Sequence, residues 1–200
     1  MSKHQLIAAF LLLGTVTIFS CQKEHDADNP NCANNTGWLK NGHKPVFVIT
    51  SIYIAADTLY TSFEEVSPGV FKSTSTFDNG TFYPTQTVYM QACGNIVYQS
   101  QSLDFANKQE AYRLNGNIGD TWTTSVISTG GNTVTTVTTI TEKNVSKTVP
   151  AGTFICIKLH QVSTSSAGGS VTSDTYLNND AGPVLLDGTT AHYELARKNY

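Results

Sequence analysis

Thr153-Phe154-Ile155-Cys156-Ile157-Lys158-Leu159-His160-Gln161-Val162 alternates more regularly than any other stretch of this 200-residue chain. In an extended backbone Ile155, Ile157 and Leu159 share one face, while Phe154, Cys156, Lys158 and His160 share the other. A period of two rather than 3.6 predicts a β-strand. Just before it, Val149-Pro150-Ala151-Gly152 combines a fixed φ with a permissive backbone. That combination predicts a tight reversal joining "EKNVSKTV" to "TFICIKLHQV".

Working outward, the same signal recurs. The threonine-rich segment 121–141 is β-branched and therefore favours strand over helix. Gly130-Gly131-Asn132 divides it into a hairpin, although Val134, Val137 and Ile140 recur every three residues and do not define a face. Towards the N-terminus lie "VFVITSIYI" (46–54), "TLYTSFEEV", "GVFKSTSTF", "TVYMQA" (87–92) and "NIVYQSQS" (95–102). Ser67-Pro68-Gly69, Asp78-Asn79-Gly80 and Gly94 mark the turns, Asn79-Gly80 having the form of a short type I′ hairpin. Towards the C-terminus lie "VTSDTYLN", "GPVLLDG" and "TAHYELARK". Ten to thirteen strands at short intervals predict an all-β fold, an antiparallel open β-barrel or a sandwich.

The first residues differ from everything after them. Leu6 to Ile18 is an apolar run of 13 residues preceded by Lys3. A membrane span needs roughly 18 or more, so the run has the dimensions of a signal peptide. The run ends at Ser20-Cys21, which resembles the lipobox of bacterial lipoproteins, with Phe19 bulkier than usual and Ile18 in place of the commoner leucine. The resemblance implies removal of residues 1–20, diacylglycerol on the Cys21 thiol and membrane attachment through acyl chains, each methylene contributing about 0.8 kcal/mol. Gln22-Lys23-Glu24, Asp26 and Asp28 resemble the short Lys-plus-acidic signal of Bacteroidetes-type lipoproteins. It implies the outer face of the outer membrane, a periplasm-facing anchor being the alternative. Residues 21–36 are polar and turn-prone and read as a flexible tether, leaving residues 37–200 as a single β-rich domain that begins near Trp38.

With 12 basic and 15 acidic residues and no basic patch, the chain does not have the charge of a nucleic-acid binder. Once Cys21 is acylated, Cys32, Cys93 and Cys156 remain, so one disulfide forms at most. Spacing does not choose the pair. Cys156 sits in the most regular strand and suits a small buried apolar position, which favours Cys32–Cys93.

Gly119-Asp120-Thr121-Trp122, Val149-Pro150-Ala151-Gly152-Thr153-Phe154, Gly182-Pro183-Val184 and Glu194-Leu195 together resemble uncharacterised VPAGTF-containing domains of secreted proteins and lipoproteins. These are domains of unknown function with an open, LolA-like β-barrel. The resemblance spans about residues 112–200, rests on turn and packing signals, and implies fold without bringing any catalytic residue.

Chemistry-bearing residues are sparse. His25, His43, His160 and His192 lack metal-site spacing and read as solvated. There is no CxxC, no Gly-x-Ser-x-Gly elbow and no P-loop lysine. Asp174 and Asp187 are candidates for a glycosidase pair, whereas Glu64-Glu65 would point to opposite faces. Asn178-Asn179-Asp180 offers oxygen ligands but reads as a turn. Asp57-Thr58-Leu59 resembles an O-glycosylation acceptor of Bacteroidetes. Tyr53, Tyr60, Phe63, Phe71, Phe77, Phe82, Tyr83, Tyr89 and Tyr98 would either fill a core or line a concave wall for an apolar molecule or a sugar. The expectation is a lipid-anchored, non-catalytic binding or structural module without cofactor or metal. Its partners would be the membrane and either a small apolar ligand or a surface protein. The alternatives are an accessory subunit of a surface glycan- or nutrient-handling complex and, behind it, an envelope glycan hydrolase.

Overall fold

In the computed structural model, which describes residues 32–51, 56–78, 85–105, 107–127 and 131–198, each patterned segment forms a strand. They are β1 (Val46–Ser51), β2 (Asp57–Ser67), β3 (Val70–Phe77), β4 (Gln86–Cys93), β5 (Ile96–Ser100) and β6 (Gln109–Arg113). There follow β7 (Thr121–Ile127), β8 (Thr133–Val149), β9 (Gly152–Ser165), β10 (Ser170–Asn178), β11 (Gly182–Gly188) and β12 (Ala191–Arg197). All twelve belong to one sheet in the order β6-β5-β4-β3-β2-β1-β12-β11-β10-β9-β8-β7. Neighbours in sequence are therefore neighbours in space, except where β1 pairs antiparallel with β12 and joins the two halves.

The sheet curls into a nearly closed barrel, so the barrel alternative holds and the sandwich does not. The two edges, β6 and β7, are consecutive in sequence and meet without a ladder between them. Side chains close this seam instead. The Trp122 indole N–H donates to the Glu110 carbonyl at 3.0 Å, and the Gln109 amide donates to the Ser125 carbonyl. Arg113 lies over the Trp122 ring at 5.1 Å, pairs with Glu110 at 2.8 Å and reaches Asp120 at 3.6 Å. Covering an edge in this way removes a template for pairing with another chain.

Register separates the two faces, because directly paired residues point the same way. Ile140, Leu159, Thr175, Leu186, Tyr193 and Ile49 form one continuous row across β8, β9, β10, β11, β12 and β1. Ile140, Leu159 and Ile49 in that row are fully buried, which makes it the inside. The neighbouring row, Lys158, Tyr176, Leu185, Glu194 and Val48, lies on the outside.

The threonine-rich strand now resolves. Val134, Thr136, Thr138 and Ile140 point inward, and Val137 is 41% exposed on the outer wall. The spacing of three was two inward residues with an outward one between them. Strand β9 holds a second surprise: Ile155 is 56% exposed while Phe154 and Cys156 are buried. Past Leu159 the buried face of the β8–β9 hairpin changes. Irregularities on β8 between Ile140 and Glu142 and between Glu142 and Val145 each insert one residue there. Asn144, with φ 58°, lies in this stretch. At this end Val149, Phe154 and Cys156 pack against Tyr176, Leu185 and Leu195, and Ala151 N donates to the Leu195 carbonyl at 3.0 Å.

The turn signals hold in most places. Gly69 (φ 73°) closes β2–β3, and its N–H donates to Glu65 Oε1 at 2.9 Å. Asn79-Gly80 lies outside the described residues.

Candidate functional site

The barrel has two unlike ends. At one end, called the floor here, the turns β2–β3, β4–β5, β8–β9 and β10–β11 meet the segment that precedes β1. That segment is a strap across the end of the barrel. Cys32 is joined to Cys93 beside the β4–β5 turn, with an Sγ–Sγ distance of 2.13 Å, and Asn34 makes a single bridge to Gly94. Further along, Gly37 N donates to the Asn179 carbonyl at 2.9 Å in the β10–β11 turn. Those two turns lie six strands apart in the sheet, so the strap crosses the barrel end. The expected tether ran to residue 36, yet residues 32–36 are tied down, with Thr36 buried.

Trp38 and Leu39 hang from the strap into the barrel, 2% and 1% exposed. Trp38 meets Phe63 and Tyr112 edge-on, at centroid distances of 5.6 and 6.1 Å. Phe71, Met90, Ala92 and Val97 complete this packing on one side, and Trp122, Ile140, Leu159 and Leu177 on the other. His43, expected at a solvated strand edge, is 1% exposed and stacks on Phe63. Burial holds its pKa below the usual histidine value despite the 2.8 Å bond between Nδ1 and the Trp38 carbonyl, with Lys40 and Lys198 adding to the lowering. A neutral ring facing a carbonyl must donate, which places the proton on Nδ1.

At the other end, the mouth, the inward positions change character. Thr61, Ser73, Thr136, Thr138, Ser163 and Thr175 are buried, and Ser75, Gln86, Gln99, Gln109, Thr124, Gln161 and Ser173 are half-buried. Hydroxyls and amides bond one another across the wall: Thr136 Oγ1 with Ser163 Oγ at 2.7 Å, Thr175 Oγ1 to Gln161 Oε1 at 2.9 Å, and Thr61 Oγ1 with Ser75 Oγ at 3.0 Å. Phe77, Leu59 and Tyr193 add half-buried apolar surface. Among the described inward positions of the mouth, only Asp57, the first residue of β2, carries a charge. Its partner Ile49 fixes its direction, and its Oδ1 accepts the Thr58 N–H at 2.7 Å.

The outer wall holds the ionisable groups. His160, Asp174, Asp187 and His192 are successive ladder partners across β9, β10, β11 and β12. The structure thus places Asp174 opposite Asp187, as a carboxylate pair would require, but on the convex side and already engaged. His160 Nδ1 is 2.8 Å and Lys158 Nζ 3.0 Å from Asp174; His192 Nδ1 is 3.1 Å from Asp187. Burial alone would raise the Asp174 carboxyl, but the bonds from His160 and Lys158 outweigh it and hold the pKa below its ordinary value. Burial likewise opposes protonation of His192, and Asp187 and Glu194 together raise its pKa. These two acids address opposite nitrogens of the ring and do not converge on a point. Among the described residues no group of three or more His, Cys, Asp or Glu is placed to hold a metal ion.

Other candidates disperse. Cys21, His25, Tyr53, Phe82 and Tyr83 lie outside the described residues. Cys156 is a buried free thiol, pushed up to about 11 by burial. Phe63, Phe71 and Phe77 point inward, while Tyr60, Tyr89 and Tyr98 lie on the outer wall, so the expected aromatic surface is split between two faces. Thr58 also faces outward, beside Val48. Glu64 and Glu65 do point to opposite faces, and Asn178 Oδ1 accepts from Asp180 and Ala181 N–H in a plain turn. The glutamines of the mouth were missed by reading the sequence. Their signal was their parity: Gln99 and Gln161 stand two residues from Val97 and Leu159, on the buried face of their strands.

Architecture places the chain among all-β proteins built on a nearly closed, twelve-stranded antiparallel barrel. It is structurally similar to a protein of Bacteroides fragilis NCTC 9343 named as exported and of YmcC-like fold, with TM-score 0.60, 11% identity, and 84% of this chain and 100% of that chain covered. A protein of Parabacteroides distasonis ATCC 8503 named as a lipoprotein matches with TM-score 0.56, 12% identity and the same coverage. At such identities the likeness is one of fold. No protein-family model matches the chain, and no curated protein matches it.

Proposed function

We propose that this chain is an envelope lipoprotein, acylated at Cys21, whose barrel is a non-catalytic binding module. The observation that carries the reading is the strap. It fixes Cys32 at the floor, so an anchor eleven residues upstream attaches to the plugged end and leaves the mouth facing away from the bilayer. Support also comes from the apolar run ending at Cys21 and from the names of the two structural neighbours, one exported and one a lipoprotein. Gln22-Lys23-Glu24, Asp26 and Asp28 favour the outer face of the outer membrane. The turn and packing signals of residues 112–200 favour kinship with VPAGTF-containing domains.

Incorporation of a clickable fatty acid in living cells tests the anchor. Label is expected on the wild-type protein and absent from Cys21→Ser; equal labelling of both would reject it. Protease added to intact cells tests exposure, and complete protection would move the protein to the periplasmic side.

A further inference from the structure

The two halves of the barrel interior suit different occupants. The floor half is already filled by side chains of the protein itself, Trp38, Leu39, Phe63, Ile140 and Leu159, all between 0% and 6% exposed. An acyl chain would need an apolar lumen, and the apolar part of this lumen is occupied. The mouth half presents hydroxyls, amides and a few apolar surfaces, and water reaches many of its inward side chains.

Tyr112 stands beside this polar surface. It is paired with Val97 on the inner face of β6, in contact with Trp38, near the centre of the molecule. Its side chain is half-buried, and burial pushes the hydroxyl up to about 12. Next to it on the same face stands Gln109. Its amide N–H closes the seam, and its buried Oε1 has no hydrogen-bond partner among the described residues. A buried amide oxygen left unpaired costs about 1–3 kcal/mol, and a donor from a ligand would remove that cost.

We propose that the mouth is a binding site for a neutral, hydroxyl-rich ligand of the saccharide class, held by Gln99, Gln109, Gln161 and Tyr112. A sugar hydroxyl both donates and accepts, as do the amides and hydroxyls here, and its C–H faces suit Phe77 and Tyr193. An anionic ligand would meet Asp57 at the rim and no cation among the described inward residues. A fatty acid offers no donor along its chain and would leave the Gln109 Oε1 unpaired.

This rests on the binding-module reading, and the test separates the two. The full lipoprotein, held in a detergent without a sugar headgroup, is titrated by calorimetry with neutral oligosaccharides: α- and β-linked glucans, mannans and galactans. Polygalacturonate and a fluorescent fatty acid serve as comparison probes. The expected result is saturable binding of at least one neutral oligosaccharide, weakened about tenfold or more by Gln99→Ala with Gln161→Ala, the equivalent of one or two lost hydrogen bonds. Tyr112→Phe, which keeps the packing and removes one hydroxyl, should weaken it as well, and Tyr89→Ala on the outer wall should not. Saturable binding of the fatty acid alone, or of the acidic polymer alone, would overturn the ligand class while leaving a binding module. Absence of binding to every probe would overturn both.

Discussion

The floor and the mouth of this barrel are made from the same strands and treat their inward positions in opposite ways. At the floor, β2, β3 and β4 turn Phe63, Phe71, Met90 and Ala92 inward; at the mouth the same strands turn Thr61, Ser75 and Gln86 inward. The floor also receives a strap, a disulfide and two buried rings from outside the sheet. Apolar burial contributes about 25 cal/mol per Å², so folding free energy concentrates where Trp38 and Leu39 sit. The hydroxyl and amide wall contributes little net stability, because each of its bonds replaces one to water. One end holds the barrel together, and the other is lined by polar side chains.

Truncation of the strap should produce the largest effect. Trp38→Ala empties a site 2% exposed and is expected to cost about 3–5 kcal/mol, whereas Gln99→Ala should cost under about 1 kcal/mol. Urea midpoints for the two variants would compare the ends directly. Shifts of equal size would mean that the floor is no more stabilising than the mouth.

Opening the latch comes next. Cys32 and Cys93 are 61 residues apart, and removing a cross-link over a loop of this length is expected to cost about 2–4 kcal/mol. The comparison is Cys32→Ser with Cys93→Ser against wild type, with and without reductant. In unreduced, denatured protein Cys156 should alkylate and Cys32 and Cys93 should not. Alkylation of all three would remove the latch from the argument.

A finer test separates packing from backbone strain. Gly182 has φ 79°, and a Cβ there would stand 2.8 Å from Trp38 Cδ2; Gly69 has φ 73° and nothing within 4 Å. Gly69→Ala should cost about 1–2 kcal/mol through its left-handed backbone alone. Gly182→Ala should exceed it by about 1–3 kcal/mol, since the indole must shift within a packed floor. Thermal unfolding of both variants suffices, and equal costs would show that Trp38 is loosely held.

Much of the wall was legible in the sequence because alternation is a property of the strands themselves. Twelve strands fall within the expected ten to thirteen, and most reversals lie at Pro, Gly and Asn. The change of buried face along β9 was not legible, since the residues that cover Phe154 and Cys156, namely Tyr176, Leu185 and Leu195, come from β10, β11 and β12. The floor was only half visible. Trp38 marked where folded structure would start, but nothing local says that the preceding residues cross the barrel. His43 was misread for the same reason: its surroundings, Phe63 and the Trp38 carbonyl, are assembled by the strap rather than by its own strand. The mouth escaped notice because inward-facing glutamines look, in one dimension, like outward-facing ones.

The smallest expected effect is one of sign, and it sets the floor against the outer wall. His43 is held below its ordinary pKa of 6.5, so the unfolded chain takes a proton that the folded floor refuses. Its contribution is present above about pH 6.5 and is lost as pH falls towards the folded pKa. His192 is held above 6.5 by Asp187 and Glu194, so its contribution is present below pH 6.5 and is lost as pH rises through the folded pKa. With a third of its side chain exposed, the His192 pair is screened, and its effect should be the weaker of the two. Urea midpoints measured from about pH 5 to 8 for wild type, His43→Asn and His192→Asn would resolve both. The first variant should flatten the acid side of the profile, and the second the neutral side. If His43→Asn leaves the acid side unchanged, the ring is already solvated and the floor is not the dry end of the barrel.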